Sequence, residues 1–404
     1  MRILTFTNLY PSAALPRHGI FVEHRLRQLV NTGAVRARVV APIPWVPFKS
    51  RLLGQYSAYR DVPARELRHG VEIYRTRFLA IPKLSSWLNP FAMALGALRT
   101  VRALRKQEDF DVIDAHFVYP DGAAAVLIGK WLNKPVVVSA RGTDIHTFPN
   151  YSVPRRWIRW VLREANALVG VSASLGKRLE ELGAPADKVS VLRNGVDLNL
   201  FSPKDRMALR DELNLRGPLL LSAGHLVADK GHQFVIEALA QLPGVNLAIV
   251  GEGPMRAELQ TLASRLGVSG RITWTGNIDQ PTLAKYYAAA DMTILASRAE
   301  GMPNVLLESV ACGTPVVSTN VGGAGEVVDS PDAGVLIQER SAQAIAAAVR
   351  ELMQDPRPPA AVRRHAERFS WTATTEGLIS LFQRVAAPTC DSSAAENRSV
   401  QYPG

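Results

Sequence analysis

The sequence predicts an α/β protein of two doubly wound domains, each a parallel sheet with helices on both faces. Three observations carry this. Short apolar runs of strand length alternate with helical stretches through the first half of the chain. After Pro203 the same alternation starts again. Between the two, Arg193-Asn194-Gly195-Val196-Asp197 to about Pro218 is rich in turn formers and charge, a natural boundary.

In the first half the expected strands are Ile3–Thr7, Ala37–Ala41, Val71–Thr76, Val112–Ala115, Val136–Ser139, Ala167–Val171 and Val189–Leu192. Helices are expected over Phe21–Asn31, Leu88–Arg105, Gly122–Leu132, Pro154–Arg163 and Ala173–Leu182. In the second half, strands Leu219–Ser222, Asn246–Val250, Ile272–Thr275, Met292–Ala296 and Val316–Ser318 alternate with helices. The boundaries follow as residues 1–200, 201–370, a final helix within 371–387, and a polar tail over 388–404 that reads as disordered.

A chain of 404 residues, 47% hydrophobic and 21% charged, can bury two substantial cores. No apolar run approaches the roughly 20 residues of a membrane-spanning helix. The start, Met1 to Asn8, reads as a first strand and lacks the apolar stretch of a signal peptide, so the expected compartment is the cytosol. Only Cys312 and Cys390 occur, which gives no disulfide framework. Charge is uneven: residues 1–200 hold 29 Lys and Arg against 15 Asp and Glu, and residues 201–404 hold 18 against 21. A basic first half suits nucleic acid, an anionic lipid surface, or an acidic or pyrophosphate-linked substrate. Nucleic acid explains neither the second half's balance nor the motif that follows.

That motif is Glu300-Gly301-Met302-Pro303-Asn304-Val305-Leu306-Leu307-Glu308. It follows a buried strand, and Pro303 fits the first position of a helix beginning near Asn304. The free N–H groups of such a helix start attract phosphate. Glu300 and Glu308 are too far apart to share a proton, but each suits a pair of sugar hydroxyls, because a carboxylate accepts two hydrogen bonds at once.

The whole string resembles the signature of family 4 of the retaining, nucleotide-sugar-dependent glycosyltransferases, whose GT-B fold sets two Rossmann-like domains face to face across a cleft. The resemblance implies that Glu308 binds the donor's ribose, that Glu300 contacts the transferred sugar, and that Gly301, Met302, Pro303 and Asn304 line sugar and diphosphate. Gly224-His225 followed by Lys230-Gly231 is similar to the family's phosphate loop, with Lys230 set to neutralise the leaving diphosphate. His225 stands where arginine is common and is expected to be largely neutral. Gly251 and Gly253 resemble a loop bordering the nucleotide, and Gly276-Asn277-Ile278 the base-contacting turn, with Ile278 as its contact. Gly322-Gly323 and Glu326 complete the pattern, Glu326 as a structural residue. The Asn194-Gly195-Val196-Asp197 element also matches, and the final helix is expected to pack back on the first domain.

On the acceptor side, Pro16-Arg17-His18-Gly19 resembles the loop that closes over the donor, with Gly19 permitting a close backbone approach. His116 and Asp144 end neighbouring strands as further candidates. Many relatives carry histidine where this chain has Arg141. A branch similar to bacterial polysaccharide glycosyltransferases of the teichuronic-acid type shares its Arg-Gly-x-Asp. Arginine stays protonated and cannot relay a proton, so Arg141 is a candidate for binding phosphate or a sugar carboxylate.

The resulting expectation is a retaining hexosyl-type glycosyltransferase of cell-surface polysaccharide biosynthesis, with no cofactor and no metal. Its partners are a nucleoside-diphosphate-sugar and a glycan or lipid-linked acceptor. Peripheral contact with an anionic membrane at the inner face of the plasma membrane is read from two regions. One interleaves Lys49, Arg51, Arg60, Arg65 and Arg68 with Leu52, Leu53, Tyr56 and Tyr59; the other comprises Trp87–Lys106 and Pro154–Trp160. A soluble sugar or sugar-phosphate synthase and a non-catalytic relative are the alternatives.

Overall fold

The computed structural model describes residues 1–12, 14–16, 18–45, 59–79 and 87–387. Arg17, the cluster Lys49, Arg51, Leu52, Leu53 and Tyr56, Cys390, and the tail 388–404 lie outside the described residues.

The strands are β1 (Arg2–Phe6), β2 (Arg36–Val40), β3 (Ile43–Pro44), β4 (Arg65–Arg68), β5 (Val71–Tyr74), β6 (Arg77–Phe78), β7 (Val112–His116), β8 (Val136–Ala140), β9 (Ala167–Gly170) and β10 (Val189–Val191) in the first half. The second half adds β11 (Leu219–Ala223), β12 (Asn246–Val250), β13 (Ile272–Gly276), β14 (Met292–Leu295), β15 (Val316–Thr319) and β16 (Gly334–Ile337). The first sheet has the order β10-β9-β8-β7-β1-β2-β5-β4, parallel except where β4 pairs antiparallel with β5. The second has the order β13-β12-β11-β14-β15-β16 and is parallel throughout.

Both orders reverse beside their first strand: β1 lies between β2 and β7, and β11 lies between β12 and β14. Such a reversal opens a crevice beyond the carboxyl ends of the strands, where doubly wound folds take their ligands. The residues following β1, β7, β11 and β14 are therefore the ones the topology places in position.

The central strands are buried from end to end, as a parallel sheet covered on both faces requires. On one face of the first sheet, Ile3, Val39 and Ile73 pack with Val22, Leu26 and Leu29 of the helix Ile20–Asn31. The helix Trp371–Ala386 adds Leu378, Leu381 and Phe382 to that cluster, so it packs back on the first sheet. Gly195 lies directly against Trp371 at the foot of this helix.

Among the described residues no helix is long and apolar enough to cross a membrane. The segment expected to be linker contains a helix, Arg206–Glu212. Asp205 caps it by accepting from the Met207 and Ala208 N–H groups, and Leu209 is buried beneath it.

Candidate functional site

The loop after β11 and the loop after β14 meet through an ion pair: Lys230 Nζ donates to Glu300 Oε1 at 2.5 Å. The Ser297 hydroxyl donates to the same oxygen at 2.6 Å. Glu300 is mostly buried and Lys230 about a third exposed, so the pair sits at the rim. The sequence pattern assigns these two residues separate tasks, on the diphosphate and on the sugar; the structure joins them to each other.

His225 is exposed beside them. Partial burial and the Lys230 charge both lower its pKa, so it stands neutral at pH 7. His232, at the start of the helix His232–Ala240, is buried behind the loop. Its Nδ1 shares a hydrogen bond with the Ser222 hydroxyl at 2.9 Å, and burial drops its pKa to about 4.

The helix behind Glu300 spans Asn304–Ala311, with Pro303 one position before it as the N-cap, not its first residue. Glu308 lies one turn inside. Burial pushes its carboxyl up to about 7, while the Tyr287 hydroxyl, donating to Oε2 at 3.0 Å, pulls the other way. Met302 and Pro303 are buried, Ile278 is half-buried against the core, and Cys312 closes the helix as a buried apolar residue. Gly251 and Gly253 abut the carbonyls of Gly224 and Leu226, so their close approach is to the neighbouring loop.

Facing this wall, the loop after β8 carries Arg141. A Cβ on Gly301 would lie 2.0 Å from the Arg141 carbonyl oxygen, so only glycine lets the two loops touch. The carboxyl edges of the two sheets thus face each other. Arg141 is half-buried, over the Phe21 ring at 5.2 Å. Its NH2 donates to His116 Nδ1 at 2.7 Å and its NH1 to Asn194 Oδ1 at 3.1 Å. Asn194 Nδ2 in turn donates to Asn304 Oδ1 at 2.9 Å, linking this wall to the start of the opposite helix.

Beneath Arg141 the charges are interior. Arg25 NH2 pairs with Asp114 Oδ1 at 3.0 Å, and Asp114 Oδ2 is 3.1 Å from His116 Nε2. Burial drops His116 to about 3, so the ring is neutral, with Nε2–H directed at the carboxylate and Nδ1 free to accept from Arg141. Asp144 is fully buried, its oxygens accepting from the N–H groups of Val118, Arg141 and Gly142 at 2.8–3.0 Å. It organises the loop's backbone. Asp121 is fully buried as well and pushed up to about 7 by burial; the Asn8 N–H donates to Oδ1, and Oδ2 has no partner.

Gly19 precedes the helix Ile20–Asn31 with φ 72°, and a Cβ there would strike the Leu9 carbonyl at 2.1 Å. The close approach expected of it is therefore made to its own domain's loop. Glu326 bridges the halves: Oε1 accepts from the Ala173 N–H at 2.7 Å, at the start of the helix Ala173–Glu181, and Oε2 from Arg193 Nε.

Residues 24–200 match the model of Glycosyltransferase Family 4, and residues 205–369 that of Glycosyl transferases group 1. The chain is 32% identical over 359 residues to TuaC of Bacillus subtilis, a glycosyltransferase assigned to teichuronic acid biosynthesis, covering 86% of this chain and 88% of that one. It belongs to family 4 of the glycosyltransferases. A D-inositol 3-phosphate glycosyltransferase of Catenulispora acidiphila is 31% identical over 312 residues, covering 70% of this chain and 74% of its own.

Two solved structures share the glycosyltransferase's GT-B architecture. Sucrose-phosphate synthase from Thermosynechococcus elongatus superposes with a TM-score of 0.78 at 20% identity, covering 95% of this chain and 98% of its own. Anabaena HepE in complex with UDP gives 0.72 at 22%, covering 95% and 100%. At these identities the likeness concerns the fold alone.

The sequence patterns give no role to Tyr287, Arg25, Asp114 or His232, and they mark Asn194 only as part of the boundary element. Arg25 and Asp114 are 89 positions apart, and Tyr287 and Glu308 are 21 apart. The Asp-x-His spacing of Asp114 and His116 at a strand end is the one local signal available.

Proposed function

We propose that the protein transfers a hexose, with retention, from a nucleoside-diphosphate-sugar to a hydroxyl of a lipid-linked glycan acceptor in cell-surface polysaccharide biosynthesis. The observation that carries this is the placement of Lys230, Glu300 and Glu308 around one helix start, beyond the two strands where the second sheet reverses.

In this reading Glu308 holds the ribose diol. Lys230, the His225 ring N–H and the start of the helix Asn304–Ala311 receive the diphosphate. Charge that develops on the leaving phosphate then meets the lysine cation and aligned N–H groups, where electrostatic catalysis is strongest. These groups fill the role a divalent metal has in other transferases. Lys230 is released from Glu300 as the phosphate arrives, which frees the Glu300 carboxylate for the sugar hydroxyls. A donor phosphate oxygen takes the acceptor's proton, so no protein base is needed. Contact of Gly301 with the Arg141 loop closes the two halves around the donor and excludes water.

The membrane side of the proposal rests on the helix Asn89–Gln107 and its flank. Trp87, Leu88, Phe91, Leu95 and Trp131 are exposed large apolar residues. Arg99, Arg102, Arg105 and Lys106 share a depression with Leu95 and Leu98, and Arg156 stacks over Trp87 at 5.6 Å. Trp157, read as part of the same face, is buried and packs edge-on against Phe91 at 5.1 Å. An apolar stripe flanked by cations suits the headgroup layer of an anionic bilayer at the cytoplasmic face.

The test is a panel of nucleotide sugars assayed for donor hydrolysis and transfer, with wild type, Lys230→Ala and Glu308→Ala. One donor is expected to turn over and both folded variants to lose it; unchanged turnover in both removes the assignment. Flotation with phosphatidylglycerol vesicles, decreasing as salt is raised, is the expected membrane result.

A further inference from the structure

Arg141 carries a charge that no carboxylate of the described residues contacts directly. Its guanidinium makes side-chain hydrogen bonds only to neutral acceptors, His116 Nδ1 and Asn194 Oδ1, and its Nε has no partner. Among the described residues no carboxylate oxygen lies within 4 Å of the guanidinium nitrogens; Asp144 meets only the main-chain N–H. The two carboxylates that act on it electrostatically, Asp114 and Asp144, are committed elsewhere. Asp114 is bound by Arg25 and His116, and Asp144 by three backbone N–H groups. Arg25, buried on the same side, adds a second positive charge. Arg271 and Arg340 spend their donors on main-chain carbonyls; Arg141 does not.

A half-buried cation whose nearest carboxylates are held by other groups gains from an anion that binds it directly. The planar fork of a guanidinium matches the two oxygens of a carboxylate or phosphate. The side chain is also held in place: His116, Asn194 and the Phe21 ring fix it from three directions. Through Asn194 it reaches Asn304 at the start of the opposite helix, and its own carbonyl touches Gly301. It therefore stands where the sugars of the proposed reaction would meet.

We propose that Arg141 is an anion-recognition residue, taking a carboxylate or phosphate group carried by the transferred sugar or by the acceptor sugar. This rests on the glycosyltransferase reading above and adds the substrate class to it. His116 is then a positioning residue: its neutral ring accepts from the guanidinium and aims it without adding a competing charge.

The experiment measures equilibrium binding to the full chain in two arms. The donor arm compares UDP-glucuronate with UDP-glucose; the acceptor arm compares glucose 6-phosphate with glucose on the UDP-loaded protein. Wild type is expected to prefer the anionic member at least ten-fold in one arm, and that arm identifies which sugar carries the anion. A hydrogen-bonded charge contributes about ten- to hundred-fold. Arg141→Gln should reduce the preference to below about three-fold, and Arg141→Lys, which keeps the charge but not the fork, should retain an intermediate one. Because each comparison is a ratio within one variant, a general loss of affinity cancels. No preference in either arm, or a preference that survives Arg141→Gln, overturns the inference while UDP binding persists. Failure to bind UDP, GDP, ADP or their glucose derivatives overturns the glycosyltransferase reading, and the inference falls with it.

Discussion

The two walls of the site hold their charges differently. On the first sheet the ionic groups are interior: Arg25 and Asp114 are 3% and 1% exposed, with His116 beside them at 1%. On the second sheet they stand at the rim, Lys230 31% and Glu300 11% exposed, with His225 exposed. Interior pairs are costly to disturb and hold geometry; rim pairs are screened and exchange partners easily. The difference suggests a division of labour. In the proposed reaction one wall aims a fixed cation, Arg141, and the other offers a lysine that passes from a glutamate to an arriving diphosphate.

The largest expected effect tests the interior wall. Arg25→Ala leaves Asp114 buried without its cation, and breaking such a pair costs about 3–5 kcal/mol. Chemical denaturation should show a loss of that order; a loss below about 1 kcal/mol would mean the network is not a structural anchor. The rim is tested next. Lys230→Ala should lower turnover by about 10²–10³-fold, the scale of one lost charge-stabilising donor, with little change in melting temperature. A variant that melts early but turns over normally would invert the comparison.

Glu308 gives a pH test with opposed signs. Its folded-state pKa is raised, to about 7, above the ordinary 4.5. Its contribution to stability is therefore present below about pH 4.5 and is lost as the pH rises through about 7. The form that accepts hydrogen bonds from a diol is the carboxylate, so donor affinity should rise across the upper part of the same span, by about five- to ten-fold from pH 6 to pH 8. Titration calorimetry across that range checks it, and Glu308→Gln should flatten the profile. The smallest effect is expected at Tyr287, whose hydroxyl orients Glu308. Tyr287→Phe should raise the donor KM several-fold with kcat nearly unchanged, the scale of one hydrogen bond to a charge.

What the sequence discloses follows from how local each signal is. Asn246–Val250 is legible to the residue because, after Asn246, it is a buried parallel strand with an unbroken apolar run. β4, Arg-Glu-Leu-Arg, is not: it is an edge strand with alternating exposure and no hydrophobic pattern to read. β16, Gly-Val-Leu-Ile, is likewise unmarked: it is an edge strand that opens on a glycine and is only partly buried. Pro303 stands at the N-cap and not at the first helical position that its ring suits, because its backbone is extended, φ −77° and ψ 104°. The site divides the same way. Lys230, Glu300 and Glu308 lie in contiguous motifs, whereas Arg25–Asp114, Asn194–Asn304 and Tyr287–Glu308 are joined only by folding. Sequence names the candidate residues; it does not show the buried partners that hold them.

The central claim is that the loops after β11 and β14 form one donor site. Calorimetric titration of UDP into wild type, Lys230→Ala and Glu308→Ala tests it most directly. The account predicts measurable binding to wild type and a loss of at least about ten-fold in each variant, one through the diphosphate and one through the ribose. Unchanged affinity in both variants would contradict it.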